Sequence, residues 1–174
     1  MMHKIEQYFQ QVWYEGRKPL GLLGPLEKLY RRVVNKKRFR FLQDVNASYS
    51  PKAFVIIVGN ITVGGTGKTP LTLFLIDEFK KKGLNVGVIS RGYGGDAKQY
   101  PVAVDSNSTA REVGDEPLMI HLRSGAPVVV DPNRVAAAKH LEQNFDVDII
   151  ISDDGLQHYA LNRSVEIVVM DATR

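Results

Sequence analysis

A chain of 174 residues with 44% apolar content and a net charge of +4 can bury one substantial core. It holds no cysteine, which excludes a disulfide framework and thiolate metal sites and accords with a reducing compartment. No run of about 18 apolar residues occurs and the N-terminus lacks the apolar core of a secretory signal, so the expected location is the cytoplasm unless a surface holds the chain.

The charge is uneven. Residues 1–50 carry ten Lys/Arg against four Asp/Glu, a balance of +6, whereas residues 51–174 carry thirteen against fifteen, a balance of −2. Between Ile5 and Tyr14, the residues Ile5, Tyr8, Phe9, Val12 and Trp13 recur at helical spacing and predict one greasy, aromatic face. Gly16, Pro19, Gly21, Gly24 and Pro25 then break the pattern. A second helix is predicted from about Leu26 to Leu42, with Leu26, Leu29, Tyr30, Val33 and Val34 on one side and a basic cluster of Arg31, Arg32, Lys36, Lys37, Arg38 and Arg40.

Two readings of residues 1–50 stand on the residues alone. One is an interfacial membrane segment, apolar groups at the acyl boundary and cations on anionic head groups at roughly 1 kcal/mol each. The other is a helical hairpin packed on its own domain with a solvated basic face. Nucleic-acid binding is a third and weaker option, because no RNA or DNA motif accompanies the charge, and no nucleic-acid partner is expected. Asp44 to Pro51 reads as the link to a core domain of residues 51–174.

That domain opens on a predicted buried strand, Ala53 to Val58, followed by Gly59-Asn60-Ile61-Thr62-Val63-Gly64-Gly65-Thr66-Gly67-Lys68-Thr69-Pro70 and a helix from Leu71 to Lys82 with Leu71, Phe74, Leu75 and Phe79 as its apolar positions. Strand, glycine-rich loop ending Gly-Lys-Thr and helix together form a phosphate cradle: the glycines let backbone N–H groups converge on oxygens, and the helix N-terminus adds its positive dipole end. Lys68 would reach the terminal phosphates of a nucleotide and the Thr69 hydroxyl would ligate Mg²⁺. Thr62 stands where the usual pattern has glycine, while Gly64, Gly65 and Gly67 exceed what it requires. A plain glycine-rich turn before a helix is the competing reading.

Lys80-Lys81-Lys82-Gly83 reads as a helix end, cations complementing the dipole and glycine capping. Asn85 to Ser90 is a predicted strand, and the glycine-rich Arg91-Gly92-Tyr93-Gly94-Gly95 follows at its carboxyl end, the edge where open α/β sheets bind ligands. Arg91 and Tyr93 there would meet a phosphorylated or sugar substrate, unless the stretch is an ordinary turn. Tyr100 to Val104 is a predicted strand. Gly114-Asp115-Glu116-Pro117 opens a helix, and the residues alone favour a capping role for Asp115 and Glu116. A strand at Pro127 to Val130 leads through Asp131-Pro132-Asn133-Arg134 into an alanine-rich helix to about Gln143. Val147 to Ser152, strongly apolar, runs into Asp153-Asp154-Gly155-Leu156-Gln157-His158, where two adjacent carboxylates at a strand tip favour a Mg²⁺ role over a capping turn. A last strand is expected from Val165 to Met170. Strands alternating with helices predict an α/β fold of phosphate-loop type, a mostly parallel sheet with helices on both faces and the candidate groups on one rim.

Taken together, Gly59-Asn60 through Gly64-Gly65-Thr66-Gly67-Lys68-Thr69-Pro70, Ser90-Arg91-Gly92-Tyr93-Gly94, Gly114-Asp115-Glu116-Pro117 and Asp153-Asp154-Gly155-Leu156-Gln157-His158 closely resemble the tetraacyldisaccharide 4′-kinases of lipid A biosynthesis. The resemblance runs over nearly the whole chain. It implies transfer of the γ-phosphate of ATP to the 4′-hydroxyl of a tetraacyldisaccharide 1-phosphate at the cytoplasmic face of the bacterial inner membrane, with the N-terminal helices on the anionic surface. It further implies that Gly64, Gly65, Thr66, Gly67, Lys68, Thr69 and Pro70 bind ATP, and that Thr69, Glu116, Asp153 and Asp154 serve Mg²⁺. Asp115 becomes the general base, with Lys68 and Asp154 also catalytic. Arg91, Tyr93 and Arg134 become substrate or phosphate contacts, and His158 a supporting group beside Asp154. Members of that family run to roughly twice this length with a second, smaller domain, so an N-terminal half is expected, weakly active or inactive by itself. The competing classes are a membrane-recruited ATPase switch, whose loop usually has a lysine where this chain has Val63, and a scaffold fragment without activity.

Overall fold

The computed structural model describes residues 8, 11, 12, 24–43, 48–61 and 67–170. Two compact units divide the chain, residues 1–44 with 171–174, and residues 45–170.

In the first unit, helix α1 spans Gly24–Gln43, with Pro25 in its first turn, where a missing N–H leaves no bond unmade. Leu26, Leu29, Tyr30 and Val33 share one face and are 59–72% exposed. Lys28, Arg31 and Arg32 are exposed on the other side and Lys36 is exposed at the edge of the stripe, with Arg31 paired with Glu27 at 2.7 Å. Of the helix predicted over Ile5 to Tyr14, Tyr8, Gln11 and Val12 are helical and the rest lies outside the described residues. Among the described residues no helix is long and apolar enough to cross a membrane.

The second unit is built on strands β1 (Phe54–Asn60), β2 (Val86–Ser90), β3 (Val102–Ala103), β4 (Val128–Val130), β5 (Ile149–Asp153) and β6 (Val165–Val169). Their order across the sheet is β3-β4-β2-β5-β1-β6, with every pair parallel except β3 with β4. The central strands read as continuous apolar runs because both faces are covered. Ile56 and Val58 point into one core with Ile76 of α2 (Lys68–Lys81), Val113 of the short α3 (Ala110–Val113) and Ile120 of α4 (Asp115–Ser124). Val55 and Ile57 point into the other, against Ala137, Ala138 and Leu141 of α5 (Arg134–Asn144). Ile57, Ile150 and Ile151 are fully buried, each worth about 1.5–3 kcal/mol.

Three expectations change in detail. Phe74 is 58% exposed; the buried face of α2 runs through Thr69, Thr72 and Ile76, and position 74 falls about 200° around the helix from position 72. The strand expected over Tyr100 to Val104 pairs only at Val102 and Ala103, because it is an antiparallel edge against the three-residue β4. Tyr49, assigned by sequence to the link, bridges to Leu161 and donates its hydroxyl to Glu142 at 2.7 Å, so that stretch belongs to the core. As expected, α2 ends in Lys80 and Lys81, with Gly83 at φ +78 just beyond.

Candidate functional site

Parallel pairing delivers the carboxyl ends of β1, β2, β4 and β5 to one rim, and register sets their height: Val58 lies opposite Asp153. Gly67 has a φ of +85, open to glycine at little cost, and α2 starts at Lys68. Gly64, Gly65 and Thr66 lie outside the described residues, and Pro70 sits exposed in the first turn. The half-buried Lys68 donates from Nζ to Asn60 Oδ1 at 2.8 Å and lies 3.7 Å from Asp154 Oδ1. The sequence reading gives Asn60 no role as a partner; its place at the tip of β1, eight residues before the lysine, is the available signal.

At the tip of β5, Asp153 is 2% exposed and its Oδ1 has no partner. Burial, then the nearby Glu116 and Asp154 carboxylates, push its pKa up to about 6, against the pull of Lys68 and Arg134. Asp154 follows with a φ of 52, a left-handed conformation that turns its side chain outward, where it is two-thirds exposed and faces Lys68. Arg134 also differs from its expected role as a substrate contact. It is 2% exposed, and Nη1 and Nη2 donate to the carbonyls of Asp131 and Asp153, each at 3.0 Å. Burial pulls its pKa to about 10, leaving it charged at neutral pH.

The second acidic pair comes from α4. Asp115 and Glu116 are exposed first-turn residues, and the N-cap is Gly114, so no side chain caps that turn. Glu116 Oε1 lies 3.4 Å from the Thr69 hydroxyl. The position of this turn is fixed by backbone interlock. A Cβ on Gly114, whose φ is +91, would lie 2.8 Å from the Tyr93 carbonyl oxygen, and one on Gly95 would lie 2.6 Å from that of Glu112. The Asp96 N–H donates to Arg111 O at 2.8 Å. The stretch 91–96 and the start of α4 are thereby locked together, with Arg91 exposed and Tyr93 86% exposed on the outer surface. Beside Asp115 opens a groove of about 240 Å³ lined by Leu118, Met119 and Leu122.

His158 is half-buried in the segment after β5, and its carbonyl accepts from Arg163 Nη2 at 2.6 Å. Arg163 also donates to the carbonyls of Leu156 and Leu161 and pairs with Glu166, holding that segment; no motif in the sequence marks it.

Thr69, Glu116, Asp153 and Asp154 thus approach one another from three elements. All are hard oxygen donors, and an orphaned carboxylate oxygen on buried Asp153 suits a Mg²⁺ ion. Among the described residues no three His, Asp or Glu form a ligating cage. Mg²⁺ is ordinarily held by one or two carboxylates together with water and substrate phosphates, so the donor set fits.

Comparison with known proteins adds to this geometry. A family model described as tetraacyldisaccharide-1-P 4′-kinase matches residues 20–174. The chain is 51% identical over 170 residues to the tetraacyldisaccharide 4′-kinase of Stutzerimonas stutzeri strain A1501, covering 98% of this chain and 51% of that protein. It is 52% identical over 164 residues to the same-named protein of Pseudomonas fluorescens strain SBW25, covering 94% and 49%. The chain spans about half the length of the curated relatives it matches. Among solved structures it is similar to LpxK from Aquifex aeolicus, crystallised in complex with ATP, at 30% identity and a TM-score of 0.73, covering 84% of this chain and 47% of that one.

Proposed function

Since the chain belongs to the tetraacyldisaccharide-1-P 4′-kinase family, we propose that it forms the nucleotide-binding part of an enzyme that moves the γ-phosphoryl group of ATP to the 4′-hydroxyl of a tetraacyldisaccharide 1-phosphate. The observation that carries this reading is the meeting of Lys68 with Asp154 at 3.7 Å and of Thr69 with Glu116 at 3.4 Å on one sheet rim.

In this mechanism the phosphate loop and Lys68 hold the triphosphate, and Asn60 orients the ammonium group. Asp115 takes the proton of the 4′-hydroxyl as the phosphoryl group leaves ADP. Thr69, Glu116, Asp153 and Asp154 would hold Mg²⁺, which would supply positive charge to neutralise the phosphoryl oxygens. Arg91 and Tyr93, exposed beside the interlocked turn, contact the acceptor, and the apolar groove next to Asp115 suits an acylated one. The test is direct. The full-length protein, given γ-labelled ATP and the tetraacyldisaccharide 1-phosphate, should place label in lipid; label confined to ATP and free phosphate would favour the ATPase switch instead.

We also propose that α1 lies on the anionic cytoplasmic surface of the inner membrane, where an acylated acceptor resides. Its support is the exposed Leu26, Leu29, Tyr30 and Val33 stripe beside exposed Arg31, Arg32 and Lys36. The chain should float with vesicles containing anionic lipid, and charge reversal at those three cations should leave it in the pellet. Equal flotation of both would remove the proposal.

A further inference from the structure

We infer that Arg134 is a positioning residue: its buried guanidinium fixes the peptide between Asp153 and Asp154, and so the placement of both acids, without meeting substrate. The inference rests on the kinase reading for what those acids do, and on geometry for everything else.

Arg134 is the first residue of α5. A cation there opposes the helix dipole, and a buried one also loses its hydration, so the position has a cost that something must offset. Around it, Asp153, Asp154 and Asp131 favour the charge, while Arg91 opposes it. Its two Nη groups reach two strand ends that are not neighbours in the sheet. Asp131 follows β4 and Asp153 ends β5, and β2 runs between them. The Asp131 N–H in turn donates to Ser90 O at the end of β2, at 3.0 Å. The ends of β4 and β5 are therefore joined through one planar fork, and the end of β2 is tied to them through the Asp131 N–H. Lysine, with a single ammonium on a flexible stem, would not reproduce that fork.

The carbonyl that Nη2 holds belongs to the peptide unit joining residues 153 and 154. Fixing that plane constrains ψ of Asp153 and φ of Asp154 together, and Asp154 is the sole non-glycine residue with positive φ among the described residues. Such a conformation is strained for an L residue and persists only where its surroundings impose it. Gly155 adds to the constraint from the other side: a Cβ there would lie 2.5 Å from Ser152 Oγ. A displacement of the Asp153 carbonyl would swing Asp154 away from Lys68.

The test uses the full-length protein with Arg134→Lys and Arg134→Met. Mn²⁺ affinity is read by electron paramagnetic resonance with a non-hydrolysable ATP analogue, and lipid phosphorylation is followed against Mg²⁺ and against acceptor. Both variants should weaken Mn²⁺ binding by about tenfold and raise the Mg²⁺ needed for half-maximal rate by a similar factor, as loss of an outer partner of a metal ligand does. The acceptor KM should stay within about twofold, since Arg134 would make no acceptor contact. An acceptor KM that rises with metal affinity unchanged would make Arg134 a substrate contact and overturn the inference. A lower Tm with metal affinity unchanged, or failure of both variants to fold, would make it a structural brace and overturn it equally. The Mn²⁺ measurement needs no acceptor, so a wild-type protein that fails to phosphorylate lipid would sink the kinase reading without deciding this one.

Discussion

The two acidic pairs on the rim are placed by opposite means. Asp153 is held from within: parallel pairing with Val58, burial to 2% exposure and a guanidinium on its carbonyl leave it little freedom. Asp115 and Glu116 are exposed, and their position depends on the close passage of Gly92, Gly95 and Gly114 backbones. A buried acid is rigid, and a bound cation would offset the cost of ionising it, which suits a metal ligand. An exposed acid at a helix start can be reached by an incoming hydroxyl, which suits a base.

The sharpest way to separate the pairs is Asp115→Asn. It should lower the transfer rate by about 10²–10⁴ while leaving ATP affinity within about twofold, measured by kcat and by nucleotide titration. Gly114→Ala attacks the same pair through its support. The new Cβ meets the Tyr93 carbonyl at 2.8 Å with φ at +91, so the turn must shift, and a loss of about 10²-fold in kcat is expected, with a smaller weakening of Mn²⁺ binding through the displaced Glu116. If Mn²⁺ affinity fell as far as kcat, the two pairs would not be independent.

Asp153→Asn probes the buried pair through stability. The folded pKa of about 6 lies above the ordinary 3.8, so between these values the folded chain binds more protons than the unfolded one. Stability is therefore highest below the unfolded value, falls as pH rises through that window, and stays low above about 6. Asparagine removes the penalty. Free of nucleotide and metal, the variant should melt about 5 °C higher than wild type at neutral pH, on the order of 2 kcal/mol, by calorimetry. That advantage should vanish below the ordinary aspartate pKa of 3.8. The smallest effect is expected at Phe74→Ala, on the outward side of α2 and outside both pairs: stability within about 0.5 kcal/mol and unchanged kcat.

Much of this was legible in the residues. Runs such as Ile149-Ile150-Ile151 before Asp153, and Ala53 to Val58 before the phosphate loop, announce buried parallel strands ending in chemistry, because period and composition report burial directly. The resemblance implies that Arg134 is a substrate or phosphate contact, whereas its burial follows only once β2, β4 and β5 are known to be neighbours, a non-local fact. Arg163 gave no sign for the same reason: its partners are carbonyls, which carry no sequence identity. Phe74 misled because an apolar residue at a helical spacing need not face inward, and α3 is too short for periodicity to register.

The interlock of Gly92, Gly95 and Gly114 has a practical consequence for inhibition. It is a seam mostly of backbone against backbone, with the Val130 side chain beside Gly92, and it supports the turn that carries Asp115 and Glu116. On the kinase reading, a small molecule that pried residues 91–96 from the start of α4 would move Asp115 and Glu116 together without having to occupy the phosphate loop.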